Sequence, residues 1–219
     1  MSELLLDIRD LIIEADIDGD WRPIVNGLSM ALHKGEIIGL IGESGAGKST
    51  FGLAGMGYTK PGCRIVSGSI KLEGEELVGG LPSRLREIRG NSVSYVAQSA
   101  AAAFNPAHRL IDQFVEAPVQ HGKLRSEEAA RRGQDLYRQL DLPDPDHIGN
   151  RFPHQVSGGQ LQRAMTAMAM GCDPRLIVFD EPTTALDVTT QIEVLSTIKD
   201  AVRARGVAAI YITHDLAVV

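Results

Sequence analysis

The chain has 219 residues, 43% of them hydrophobic, so it can fill a sizeable core, and its length suggests one domain with a sub-lobe. A net charge of −6 argues against a broad nucleic-acid surface, which needs clustered cations, although it leaves room for a local basic patch. Cys63 and Cys172 lack metal-type spacing, no apolar stretch approaches the ~20 residues that cross a bilayer, and Met1-Ser2-Glu3-Leu4 is no cationic leader. A cytosolic chain with reduced thiols is expected, one that serves any membrane process by docking on another chain.

The runs 4–13 and 24–32 read as strands separated by the turn-rich Asp16-Ile17-Asp18-Gly19-Asp20, an antiparallel pair. Trp21 falls in the connecting loop, where its ring either stacks on a base or covers the sheet edge. The apolar run Ile37-Ile38-Gly39-Leu40-Ile41 then meets Gly42-Glu43-Ser44-Gly45-Ala46-Gly47-Lys48-Ser49-Thr50, a G-x-x-x-x-G-K-[ST] loop with a strand before it and a helix after it. Gly42, Gly45 and Gly47 let backbone N–H groups of the loop, Ser44 among its phosphate-binding residues, wrap a phosphate that side chains at the glycine positions would block, and the positive end of the helix faces the same anion. Lys48 is placed to reach the β- and γ-phosphates, Ser49 to offer its hydroxyl to Mg²⁺, and Thr50 to add a phosphate contact. The plain alternative is a glycine-rich turn with a surface lysine. The matched flanks favour a nucleoside triphosphate.

The helix begun at Lys48 carries Phe51, Leu53, Ala54 and Met56 and breaks near Gly57, and residues 65–72 return as a short strand. Residues 84–89, rich in arginine, read as a solvated helix face, and 92–97 as a buried strand ending on Gln98. From 99 to about 154 the pattern is helical. Ile111, Phe114, Val115 and Pro118 mark one helix, and Ser126 reads as the N-cap of another, with Glu127 and Glu128 in its first turn. Val156-Ser157-Gly158-Gly159-Gln160 opens a helix with the apolar stripe Leu161, Met165, Met168 and Cys172. Ser157 is at least an N-cap, and two glycines in succession suggest that something approaches the helix start closely.

Leu176-Ile177-Val178-Phe179 runs into Asp180-Glu181, which puts two carboxylates at the carboxyl end of a parallel strand, where ligands of open α/β sheets bind. The structural alternative is that the two acids are simply exposed or cap Thr183-Thr184. Asp187 caps a helix with stripe Val188, Ile192, Leu195, Ile198 and Val202, and the strand 207–212 delivers Thr213-His214-Asp215. A histidine at a strand end is usually a satisfied polar residue.

With these motifs in this order, including Ala185-Leu186-Asp187, the chain resembles the ATP-binding subunit of an ABC transporter over essentially its whole length. The resemblance implies an α/β fold, a P-loop NTPase core of ABC ATPase type with an antiparallel β lobe (1–97 and 173–219) and an inserted helical subdomain at about 98–172. It implies ATP and Mg²⁺, with Glu181 as general base, Asp180 holding the metal shell that Ser49 and Gln98 complete, and His214 fixing the water and Glu181. Ser157, Gly158, Gly159 and Gln160 are implied to act in trans on ATP held by a second ATPase subunit, self or related, in a head-to-tail dimer, with Asp187 contacting that partner. Transmembrane permease subunits are the implied membrane partners, at the cytoplasmic face, and no nucleic acid is expected.

Gln98-Ser99-Ala100-Ala101-Ala102-Ala103-Phe104-Asn105-Pro106 matches in length the Q-D-P-x-x-x-L-N-P of peptide and nickel importer subunits and departs at Ser99, Ala100 and Phe104. Glu43-Ser44-Gly45 and Ala167-Met168-Ala169-Met170 also resemble that branch, while Val156 replaces the usual leucine. Import of peptides or similar small solutes is therefore expected. The rivals are a soluble ABC ATPase acting on ribosomes or DNA, and an assembly subunit such as one serving phosphonate breakdown. Subunits of this type continue beyond the position of Val219, so one portion of a longer chain is expected.

Overall fold

The computed structural model describes residues 3–43, 45–184 and 186–214. Ser44 of the nucleotide loop, Ala185 and Asp215 lie outside the described residues. Two four-stranded sheets organise them. The first is antiparallel, in the order β2-β1-β4-β5, with β1 Leu4–Ile17, β2 Asp20–His33, β4 Cys63–Leu72 and β5 Glu75–Glu76. The second is parallel, in the order β3-β8-β7-β6, with β3 Ile37–Ile41, β6 Val93–Val96, β7 Leu176–Asp180 and β8 Ala208–Thr213.

The central strands β7 and β8 are buried on both faces, which is why they read as unbroken apolar runs instead of alternating ones. Alternation still assigns their faces. Leu176, Val178, Ala208, Ile210 and Ile212 join a core with the antiparallel sheet and α1 (Lys48–Ala54). Ile177, Phe179, Ala209 and Tyr211 face the other core, shared with α4 (Leu110–Gln120), α5 (Ser126–Gln139), α6 (Gly158–Met170) and α7 (Val188–Ala204). Phe179 and Tyr211 stack across neighbouring strands at 4.4 Å. Two shorter helices, α2 (Pro82–Ile88) and α3 (Ala100–Ala103), flank β6 in the chain. Among the described residues no helix is long and apolar enough to cross a membrane.

Several local expectations are corrected. The first hairpin is longer and its turn tighter than the composition suggests: Asp18 and Gly19 both take left-handed backbone angles, 56° and 89°, so two residues reverse the chain. Trp21 therefore lies in β2, opposite Asp16, and not in a loop. The return strand β4 pairs with β1 on the side away from β2, so the expected antiparallel pair forms one side of a larger sheet with β2 at its edge. The nucleotide-loop helix ends at Ala54, which leaves Met56 beyond it. Arg125, and not Ser126, caps α5: its extended backbone precedes the first turn, and its N–H donates to Glu128 Oε2 at 3.0 Å.

Candidate functional site

Parallel register assembles the site. Ile41 lies opposite Thr213, Ile212 opposite Asp180, and Phe179 opposite Val96. The carboxyl ends of four strands thus form one row, and residues that follow them (the nucleotide loop, His214, Glu181 and Gln98) leave the sheet side by side. All but His214 border a cleft of about 290 Å³ lined by Ile24, Gly45, Gly47, Lys48, Ser49, Thr50, Lys60, Gln98 and Glu181.

The loop is built on close backbone approach. Gly47 caps α1 with φ +78°, and a Cβ there would lie 2.4 Å from the Ile24 carbonyl oxygen. Only glycine fits. Lys48 Nζ donates to the carbonyls of Gly42 (2.7 Å) and Glu43 (2.6 Å), which holds the ammonium inside the loop's own curve.

Asp180 follows Leu176 and Val178 in alternation, so its carboxylate faces α1. There Ser49 Oγ donates to Oδ1 at 2.7 Å, joining residues 131 apart in the chain. Glu181 leaves the pleat: its φ is +47°, a conformation that side chains seldom adopt, and its N–H donates to Ile212 O at 2.9 Å. The turn aims its carboxylate into the cleft. Oε2 accepts from Gln98 Nε2 (3.3 Å) and Thr184 Oγ1 (3.1 Å), and Oε1 lies 3.2 Å from His214 Nδ1. Thr184 is thus tied to Glu181, as the capping alternative foresaw, but in company with Gln98 and His214.

Tyr95 went unnoticed in the sequence. Its hydroxyl donates to Asp180 Oδ2 at 2.6 Å, and burial, followed by this bond, pushes its phenol well above the usual range. No motif announces it, because a tyrosine in a buried strand reads as core. Ile24 and Lys60 also line the cleft without a sequence signal.

A hydroxyl, a carboxylate and an amide beside a phosphate loop are hard oxygen donors that suit Mg²⁺. Among the described residues no group of three or more His, Cys, Asp or Glu could hold a metal alone.

Ser157, Gly158, Gly159, Gln160, Asp187 and Trp21 do not line the cleft. Ser157 and Gln160 form a reciprocal capping box at α6: Gln160 N–H donates to Ser157 Oγ at 3.3 Å and Ser157 N–H to Gln160 Oε1 at 3.0 Å. Ser157→Ala is expected to cost about 1 kcal/mol, a Tm decrease of about 2–4 °C by calorimetry. The glycines also answer to this chain's own packing. A Cβ on Gly159 would meet Thr190 Cγ2 at 2.7 Å, and one on Gly158 would meet Leu186 Cδ2 at 3.2 Å. Asp187 caps α7, and its hydrogen bonds from Thr190, side chain (2.7 Å) and backbone (3.1 Å), hold its carboxyl below the usual range. The Trp21 ring is 40% exposed and carries the Arg64 guanidinium 4.0 Å from its centre.

A larger hollow of about 570 Å³ lies along α5, and three of the arginines that line it are engaged: Arg138 with Asp135 and Asp146, Arg205 with Gln139 and Asp173, and Arg132 with Asp173.

The family model described as "ABC transporter" matches residues 25–184. Over its full length the chain is 38% identical to an oligopeptide transport ATP-binding protein, OppD, of Lactococcus lactis subsp. lactis (strain IL1403), covering 64% of that protein. It is also 38% identical to a probable D,D-dipeptide transport ATP-binding protein, DdpD, of Escherichia coli (strain K12), covering 67%. The chain thus spans about two thirds of the length of these relatives. In fold it is similar to the ATP-binding cassette MJ0796, solved as a dimer in a post-hydrolysis state bound to ADP and Pi, with a TM-score of 0.84 at 22% identity over 98% of this chain and 90% of that one.

Proposed function

This chain belongs to the ABC transporter family, and we propose that it binds ATP with Mg²⁺ and hydrolyses it to power import of peptides or similar small solutes through a membrane permease. The observation that carries the hydrolytic reading is the convergence of Ser49, Asp180, Glu181, Gln98 and His214 beside the nucleotide loop. In this proposal residues 1–97 and 173–219 form the nucleotide-binding core and about 98–172 the helical subdomain. The peptide branch follows the names of the relatives and the segment 98–106.

Backbone N–H groups of the loop cradle the phosphates, with Gly42 and Gly45 shaping the curve. Lys48 exchanges its two carbonyl partners for phosphate oxygens, and Thr50 adds a further contact. Ser49, Asp180 and Gln98 would hold Mg²⁺, which when bound neutralises charge between the β- and γ-phosphates. Glu181, oriented by Gln98, Thr184 and His214, takes the proton of the attacking water. Trp21 is the candidate for stacking on the base.

The resemblance to ABC transporter ATP-binding subunits assigns the Ser157 motif a role in trans, at the γ-phosphate held by a second copy or a relative, and the motif stands outside this chain's own cleft. Val188 and Ile192, 73% and 66% exposed and one turn apart beside Asp187, offer an apolar face to that partner. The permease contact places the chain peripherally at the cytoplasmic face of the membrane.

The test combines a direct ATP-binding assay with light scattering. Ser157→Arg is expected to bind ATP as the unaltered monomer does and to lose ATP-dependent dimerisation, because the bulky side chain fills the partner's phosphate position. Loss of monomer binding would overturn the in-trans assignment. Co-purification with a transmembrane permease supports the import role, and co-purification with ribosomes in its place refutes it.

A further inference from the structure

Tyr95 lies on β6 opposite Val178, one strand over from Asp180 and two residues short of it along the chain direction. Its ring packs against the core that α1 covers, so its side chain shares a face with Val178 and Asp180. Two residues of strand span roughly 6.5 Å. A tyrosine bridges that offset and puts its hydroxyl 2.6 Å from Asp180 Oδ2, whereas a serine or threonine at the same place would fall short. Asp180 is only 6% exposed, and its two oxygens are divided between two donors from different elements, Ser49 on Oδ1 and Tyr95 on Oδ2. A carboxylate with one donor can turn about its terminal bond. With a donor on each oxygen, from α1 on one side and β6 on the other, it has one orientation.

We propose that Tyr95 is a positioning residue for the metal-nucleotide site, fixing the rotation of Asp180 so that Oδ1 is presented beside Ser49. This inference rests on the ATP and Mg²⁺ reading above. Tyr95 does not line the cleft and acts through its hydrogen bond to Asp180. Removing its hydroxyl leaves a buried carboxylate oxygen without its donor, so the loss appears where Asp180 is used, in the response to the divalent ion, and not in the phosphate loop's grip on the nucleotide.

The test is Tyr95→Phe, which keeps the ring and its packing. Binding of a fluorescent ATP analogue is measured in EDTA and across a Mg²⁺ titration, on both chains. The expected result is a metal-free affinity close to that of the unaltered chain and an about tenfold rise in the Mg²⁺ concentration at half-maximal response, in line with loss of one hydrogen bond to a charged group. An unchanged Mg²⁺ requirement overturns the inference. So does an equal weakening with and without Mg²⁺, since that is what a merely structural bond predicts. In either case a Mg²⁺-dependent unaltered chain leaves the functional reading standing. If the unaltered chain fails to bind the analogue, or binds it with no response to Mg²⁺, the reading itself falls and the inference with it.

Discussion

Glu181→Gln is expected to lower ATP turnover by about 10²- to 10⁴-fold, the usual range for removing a general base. The amide keeps the size and the planar shape of the carboxylate, so the contacts of Gln98, Thr184 and His214 change by polarity and not by space. Nucleotide binding, which rests on the loop and Lys48, should survive. ATP then accumulates uncleaved, and if the in-trans assignment holds, light scattering with ATP and Mg²⁺ shows a trapped dimer. Steady-state phosphate release is the deciding measurement: turnover close to that of the unaltered chain removes Glu181 from the role of base. The left-handed backbone at Glu181, φ +47°, supports that role, because such a conformation is disfavoured for a side-chain-bearing residue and here it turns the carboxylate out of the sheet into the cleft.

Gly47→Ala is expected to abolish measurable ATP binding and to lower stability by about 2–5 kcal/mol, a Tm loss of about 5–15 °C. Two costs add. The new Cβ would lie 2.4 Å from Ile24 O and 3.3 Å from Val25 Cγ2, and the oxygen belongs to the backbone of β2, which cannot swing aside as a side-chain end can. The φ of +78° then penalises any residue with a Cβ. Gly45→Ala separates the two: its φ is +83°, but a Cβ there meets nothing within 4 Å, so only the conformational cost applies. Calorimetry and nucleotide titration on both variants should rank Gly47→Ala clearly below Gly45→Ala. Equal effects would mean that the contact with Ile24 does not constrain the loop.

Much of the site was legible in the sequence, for a physical reason. The nucleotide loop is a local device: glycines, a lysine and a hydroxyl residue are contiguous between a strand and a helix, so one stretch of chain carries most of the chemistry. Asp180-Glu181 was legible because four apolar residues running into two acids mark a buried strand that ends at the carboxyl edge of a parallel sheet. The caps at Ser157 and Asp187 are local as well, each closed within three residues. Where local signals compete, as between Arg125 and Ser126, the position of the cap shifted by one residue.

Composition, motif spacing and hydrophobic period by themselves marked a phosphate loop, a pair of acids at a strand end and a glycine-opened helix, and the resemblance those motifs carry implied the α/β fold. Only the tertiary structure decided which of these meet. Parallel register aligned four strand ends, a long-range pairing that no local pattern encodes. Alternation on β7 turned Asp180 toward Ser49, 131 residues away, and brought Tyr95, 85 residues away, to its other oxygen. The glycines of the Ser157 motif acquired a second reason in the packing of Leu186 and Thr190, and Trp21 moved from a loop into a strand. Such partners are chosen by strand order and by the face a residue occupies, and both follow from how the whole chain buries its apolar surface.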